Sequence, residues 1–194
     1  MKLSARSTLS DVARIVGGTL VDAGIGATLS GGACATIYSE GAYQSLDLDF
    51  ILDGDVSQKR LDEAMSEVGF RRSTDHYVHP QTKFFVEFPR GPLAIGRDAA
   101  IRPVKIQLGR MRIAALSATD SCRDRLAAFY FWNDLSSLDA AVAIASRRNV
   151  AMGKIRRWSK GEGHEERFEE FRHRLLDARR LSRSSARSSW TEPV

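Results

Sequence analysis

The chain has 194 residues, 43% of them apolar and 27% charged, and a net charge of +5. That is enough for one good core with a small appendage. No apolar run approaches a membrane span, and the stretch MKLSARSTLSDVAR lacks a signal-peptide core. Cys34 and Cys122 match no zinc spacing, so a reducing cytoplasm and no membrane association are expected.

In chain order, Leu9 to Gly24 reads as a first helix, with Ser10 as its cap and Asp11 in its first turn. Val12, Ile15, Val16, Leu20 and Val21 form its apolar face. Gly17-Gly18 lies inside this helical pattern with no acidic partner after it, which points to close helix packing. Ala27 to Ser30 is a short strand, Gly31-Gly32 a break, and Ala33 to Tyr38 a second helix that buries Cys34. Asp47 to Leu52 is a strand, and Asp53-Gly54-Asp55 the turn after it. Ser57 caps a third helix that ends at Gly69, with Leu61, Met65 and Val68 buried. Strand-like pieces follow at Phe70–Arg72, His76–His79 and Lys83–Phe88. Arg102–Leu108 and Met111–Leu116 form a hairpin across Gly109-Arg110. From Ser117 onward the pattern is helical only. Leu126, Phe129, Tyr130, Leu138, Ile144, Ile155, Trp158, Phe168, Phe171 and Leu175 are the expected core. Beyond Leu181 the Ser/Arg composition predicts a disordered basic tail over 181–194.

The chemistry concentrates between Leu29 and Leu52. On a strand, Asp47 and Asp49 project from the same face. Two adjacent carboxylates repel, and a hard cation such as Mg²⁺ (or Mn²⁺) with oxygen ligands relieves that repulsion. A glycine turn running into a helix start offers backbone N–H groups to phosphate oxygens.

Gly31-Gly32, a short helix and then Asp47-x-Asp49 resemble the signature of the nucleotidyltransferase superfamily, the polymerase-beta-like fold. The likeness is to small bacterial members, including those of abortive-infection and toxin–antitoxin systems. Asp124-Arg125-Leu126-Ala127-Ala128-Phe129 with Trp132-Asn133-Asp134 and Ser137-Leu138 is similar to the helical C-terminal part of the same group. The resemblance covers most of Leu20 to Phe171. It implies an α+β fold, with a mixed sheet and packed helices over 1–117 and a C-terminal helical subdomain over 118–180. It also implies an NTP co-substrate, divalent metal, and transfer of a nucleoside monophosphate to a hydroxyl of RNA (tRNA included), a protein or a small molecule. A cognate antitoxin is a further implied partner.

On this reading Asp47, Asp49 and Glu87 are the metal ligands and catalytic acids. Glu87 is the only acid of the Lys83–Phe88 strand. It completes the metal shell and helps deprotonate the acceptor; a water-facing residue or a pair with Arg90 is the structural alternative. Ser30, Gly31, Gly32, Ala33 and Ser45 form the nucleotide-binding set. Ala33 stands where family members often carry Ser, which keeps open a catalytically inactive chain that acts as a binding or regulatory partner. His76 and His79 read as loop residues rather than a metal pair. Trp132 reads either as a core anchor or as a surface on which a base stacks. The basic C-terminal half is either an RNA-attracting face or a solvated one.

Overall fold

Helix α1 (Leu9–Asp22) is capped by Thr8 rather than Ser10. The Asp11 N–H donates to Thr8 Oγ1 at 3.2 Å, and the Thr8 N–H donates back to the Asp11 carboxylate at 3.0 Å. This reciprocal box satisfies two orphan donors of the first turn, and Ser10, already inside that turn, has no such role. Residues 3–188 are described by the computed structural model.

The remaining elements follow the expected order. Strand β1 (Ala27–Ser30) runs directly into α2 (Gly31–Tyr38), and β2 (Asp47–Leu52) and α3 (Gln58–Glu67) come next. The strands β3 (Arg71–Ser73), β4 (His76–Val78), β5 (Phe85–Glu87), β6 (Val104–Leu108) and β7 (Met111–Ala115) complete the sheet. Four helices close the chain: α4 (Ala118–Trp132), α5 (Leu135–Arg147), α6 (Met152–Gly161) and α7 (Glu165–Ser188). The described residues are therefore α+β, with one mixed sheet of seven strands in the order β3-β4-β5-β2-β1-β7-β6. Helix α7 continues to Ser188, past the point where a disordered tail was expected. No Gly or Pro interrupts Glu165–Ser188, and Arg, Ala and Ser extend a helix at modest cost. The rest of the expected tail, 189–194, lies outside the described residues. No described helix is long and apolar enough to cross a membrane.

The sheet has two unlike faces. Leu29, Leu48, Phe50, Val86, Ile113 and Ala115 are buried on one of them. Helix α1 packs here, and its glycine pair is why it approaches so closely. A Cβ on Gly17 would lie 2.6 Å from the Ile113 side chain, and one on Gly18 2.9 Å from Met111. The packing reading of Gly17-Gly18 holds. The other face carries the acids. Val68, expected in the buried stripe of α3, is only half-buried because it forms the C-cap, and the turn after it uses Gly69 at φ +84°.

One polar cluster ties the sheet to the C-terminal helices. The Arg123 guanidinium, 1% exposed, donates to Asp120 at 2.8 Å and to Asp98 at 2.5 Å. It also lies 5.0 Å from the Trp158 ring centroid. Lys154 adds a 2.8 Å bond to Asp120. Asp98, in the long β5–β6 connection, is thereby fixed to α4. Hydrogen bonding from Arg123 holds the Asp98 carboxyl below its ordinary range. Burial pushes Asp120 up, but bonds from Lys154, Ser117 and Arg123 outweigh it and leave it lowered.

Removing Arg123 takes the buried partner from Asp98 and leaves Asp120 with Lys154 and Ser117 only, so Arg123→Ala should lose about 3 kcal/mol in urea denaturation. Carboxyls whose folded pKa is depressed stabilise above their unfolded pKa and lose that contribution as pH falls through the folded one. Wild-type stability should therefore drop below about pH 4. In Asp120→Asn, already less stable at neutral pH, the drop should be smaller.

Candidate functional site

Register assembles the acids. β2 and β5 run parallel, with Asp47 opposite Phe85 and Asp49 opposite Glu87. On the other side of β5, His76 of β4 is opposite Glu87; on the other side of β2, Ser30 of β1 is opposite Asp49. Paired residues share a face, so Ser30, Asp49, Glu87 and His76 form a row across four strands, spaced by about 4.8 Å per strand. Asp47 stands two residues along β2 on the same face. All three expected acids are thus brought to one surface, and all are half-buried.

The backbone of α2 is pressed against this row. Gly31 has φ +61°, and a Cβ there would lie 2.9 Å from Asp49 Cγ and nearer still to its oxygen. A Cβ on Gly32 would lie 2.9 Å from Ser45 Cβ and 3.6 Å from an Asp47 oxygen. Ser45 itself hydrogen-bonds the Asp47 carboxylate. The Ser45 N–H donates to Thr36 Oγ1 at 3.0 Å, and that hydroxyl donates to Gly32 O at 3.1 Å, so Thr36 splices the Ser45 loop to α2. Ser30 makes no side-chain cap on α2; its hydroxyl turns to Asp49 O at 3.4 Å. Ala33 is fully buried. The first turn of α2 therefore has no side-chain cap, and its residues, Gly31 to Cys34, are buried.

Electrostatically the row is over-charged. Burial, then Asp47 and Glu87, push the Asp49 carboxyl up to about 7. Burial, Asp47 and Asp75 also raise Glu87, and His76 counteracts them. Arg90 is not among the groups that set the charge state of Glu87. All three donors are carboxylate oxygen, which suits a hard divalent cation in charge and type. Among the described residues no three His, Cys, Asp or Glu side chains already converge as a metal cage.

Arg125, in the Asp124–Phe129 stretch of α4, adds a charged group that the sequence pattern does not tie to the acids. It is 18% exposed and donates to Asp124 at 2.8 Å. Burial pulls its pKa down, but Asp124 above all, with Tyr43 and Asp49, raises it above the ordinary value, so the guanidinium stays charged within the field of Asp49. Its signal was a single Arg at mid-helix, which sequence alone cannot aim at a distant strand. The buried Cys34 thiol beneath the site is pushed up by burial.

Other candidates disperse. Asp53 and Asp55 are exposed turn residues. His76 stands on strand β4, within the strand-like piece expected over His76–His79 and not in a loop, with its Nδ1 3.0 Å from Asp75 Oδ1 and its ring against Phe85. His79 packs instead on Phe70, with ring centroids 5.1 Å apart, so the two histidines do not converge. Trp132 is 76% exposed, which overturns the core-anchor reading. It is the last residue of α4, beyond the end of the packed core, where Asn133 turns the chain at φ +55°. No protein-family model, curated protein or solved structure matches this chain.

Gly31→Ala should destabilise far more than Gly163→Ala. Both glycines have positive φ, but nothing lies within 4 Å of a Cβ at Gly163. The control isolates a conformational cost of about 1 kcal/mol. Asp49→Ala should recover part of the Gly31→Ala loss in a double-mutant cycle.

A carboxyl with raised folded pKa favours the fold at low pH and loses that contribution as pH rises through the folded value. Asp49→Asn should therefore match wild type near pH 4 and become increasingly more stable up to about pH 8, by at most about 4 kcal/mol. Thermal melts in chelator across that range test it.

Proposed function

We propose that this chain is a metal-dependent nucleotidyltransferase that moves a nucleoside monophosphate from an NTP to a hydroxyl acceptor. The observation that carries the reading is the register of Asp47, Asp49 and Glu87 on one face, against the uncapped, glycine-lined first turn of α2. Neither an acid pair nor a helix start is informative alone. Their contact is, because it puts phosphate-binding N–H groups beside carboxylates that need a counter-charge.

Asp47, Asp49 and Glu87 would hold a divalent ion, Mg²⁺ or Mn²⁺, which supplies charge neutralisation for phosphoryl oxygens when bound. The α2 N–H groups bind the triphosphate, and Gly31 and Gly32 let Asp49 and Ser45 close against that turn, so that the acids stand beside it. Arg125 adds positive charge from the other side. Glu87, with its raised pKa, takes the proton of the acceptor hydroxyl. As the acceptor oxygen bonds to the α-phosphorus, the bond from that phosphorus to the bridging oxygen breaks and pyrophosphate leaves. In this reading Ser45 orients Asp47, and Ser30 tethers the α2 start to β2. The acceptor class is RNA such as tRNA, a protein or a small molecule. A toxin-like role beside an antitoxin rests on the resemblance of the motifs.

One observation favours a second reading. Ala33 is fully buried and Ser30 turns away from the helix start, so neither position offers a hydroxyl to the first turn of α2, and the Ser45 hydroxyl beside Gly32 is bonded to Asp47. A chain that keeps the fold and serves as a binding or regulatory partner would tolerate this.

Incubation with each α-labelled NTP, Mg²⁺, and cellular RNA or lysate protein should label one macromolecule. Asp47→Ala/Asp49→Ala should reduce the transfer at least about a hundredfold. No label with any NTP, together with no Mg²⁺-dependent nucleotide binding, would establish the partner reading instead.

A further inference from the structure

Most large apolar side chains of the C-terminal helices are buried, but the end of α4 is an exception. Trp132 is 76% exposed, and its neighbours Phe131 and Leu135 are 45% and 50% exposed. The exposed side of α4 is a continuous stripe. Asp124, Arg125 and Ala128 are half-buried on it, and Phe131 and Trp132 are open. Arg125 and Trp132 are seven residues apart, two turns, and so lie nearly in line along the helix. The stripe belongs to the helix that packs on α2, whose first turn is seated on Asp49, and it ends at the indole. Ala128 between them leaves a shallow floor rather than a ridge.

The spacing fits a mononucleotide. Two turns of helix cover about 10 Å, comparable to the separation of phosphate and base in one nucleotide. A phosphate held between Arg125 and the acidic row would carry its base outward over Ala128 to the Trp132 ring. An indole offers a wide π face, and stacking on it needs no hydrogen-bond code. At the inner end Arg125, though bonded twice to Asp124 on the same stripe, adds its guanidinium to the charge of a divalent ion on the acids, and the apolar outer end complements a base. That polarity along one helix face matches a nucleotide better than it matches an apolar helix or a second copy of the chain.

We propose that Trp132 is the base-stacking platform of the nucleotide site, with the Arg125–Ala128–Trp132 face of α4 as the cradle between phosphate and base. The proposal rests on the nucleotidyltransferase reading for the phosphate end. It adds the residue that makes a nucleotide bind better than bare polyphosphate.

The test titrates the full chain, in Mg²⁺, with each of the four NTPs and with inorganic tripolyphosphate, by calorimetry. Wild type should bind at least one NTP more tightly than tripolyphosphate. Trp132→Ala should weaken that NTP roughly tenfold and leave tripolyphosphate unchanged, whereas Trp132→Phe should stay within about threefold. The NTP should also quench tryptophan emission in wild type more than in Trp132→Phe. Unchanged NTP affinity in Trp132→Ala overturns the proposal. So does loss of RNA oligonucleotide binding alone, which assigns the patch to an acceptor, or loss of self-association alone in sedimentation. Wild type that binds neither NTP nor tripolyphosphate overturns this proposal and the functional reading together. Trp132-dependent binding without any transfer leaves the platform standing and removes only the enzyme.

Discussion

Asp49 occupies the space that a side chain on Gly31 would need. That exclusion governs the centre of the molecule. It requires a glycine where β1 becomes α2, and it seats the first turn of α2 directly on the acid face of β2. It also takes Asp49 far enough out of water to raise its pKa. The antiparallel pairing of β1 with β2 makes the contact unavoidable, because Ser30 and Asp49 are register partners and Gly31 is the next residue. The parallel pairing of β2 with β5 then adds Glu87 beside Asp49. A one-residue slip of either pairing would turn the acids to the α1 side, among Leu48, Phe50 and Val86, where unpaired carboxylates are costly.

The supporting structure keeps these pairings in place. On the apolar face, α1 fits against β7 because Gly17 and Gly18 carry no side chains. On the helical side, buried Arg123 fastens the β5–β6 connection to α4 through Asp98 and Asp120. The same helix that receives this anchor carries Arg125 toward Asp49 two residues later. Structural and site-facing charges thus share one helix but opposite sides of it.

Much of this was legible in the sequence. Period-two alternation in Asp47-Leu48-Asp49-Phe50 fixed the face shared by the two aspartates, and Gly31-Gly32 marked the close approach. Glu87 was legible as the only acid of its strand. The partner strand of Glu87 was not, since register depends on pairings between distant segments. Thr36 and Arg125 were invisible for the same reason: each acts through a fold contact that no local pattern encodes. The strand-like piece at His76 was legible too, but its partner across Glu87 was not, because three residues do not specify a register. Over 181–188 a helix stands where composition pointed to a tail, since Ser and Arg suit both a solvated coil and the last turns of a helix that has already begun. For Trp132 the sequence leaves an anchor and an exposed surface both open, and its place at the very end of α4 decides against the anchor.

The pairing of β2 with β5 has a consequence in time as well as in space. The two strands are parallel and separated by α3, β3 and β4, and Arg125 arrives only after the β6–β7 hairpin. Contacts between such distant segments incur loop-closure entropy before they are rewarded, and they form late in folding. A nascent chain that has emitted only β1, α2 and β2 already owns the glycines and two of the acids, yet lacks Glu87 and any neighbouring cation. The charge centre is therefore complete only when most of the polypeptide has left the ribosome, so shorter products of the same message carry the motif without the site.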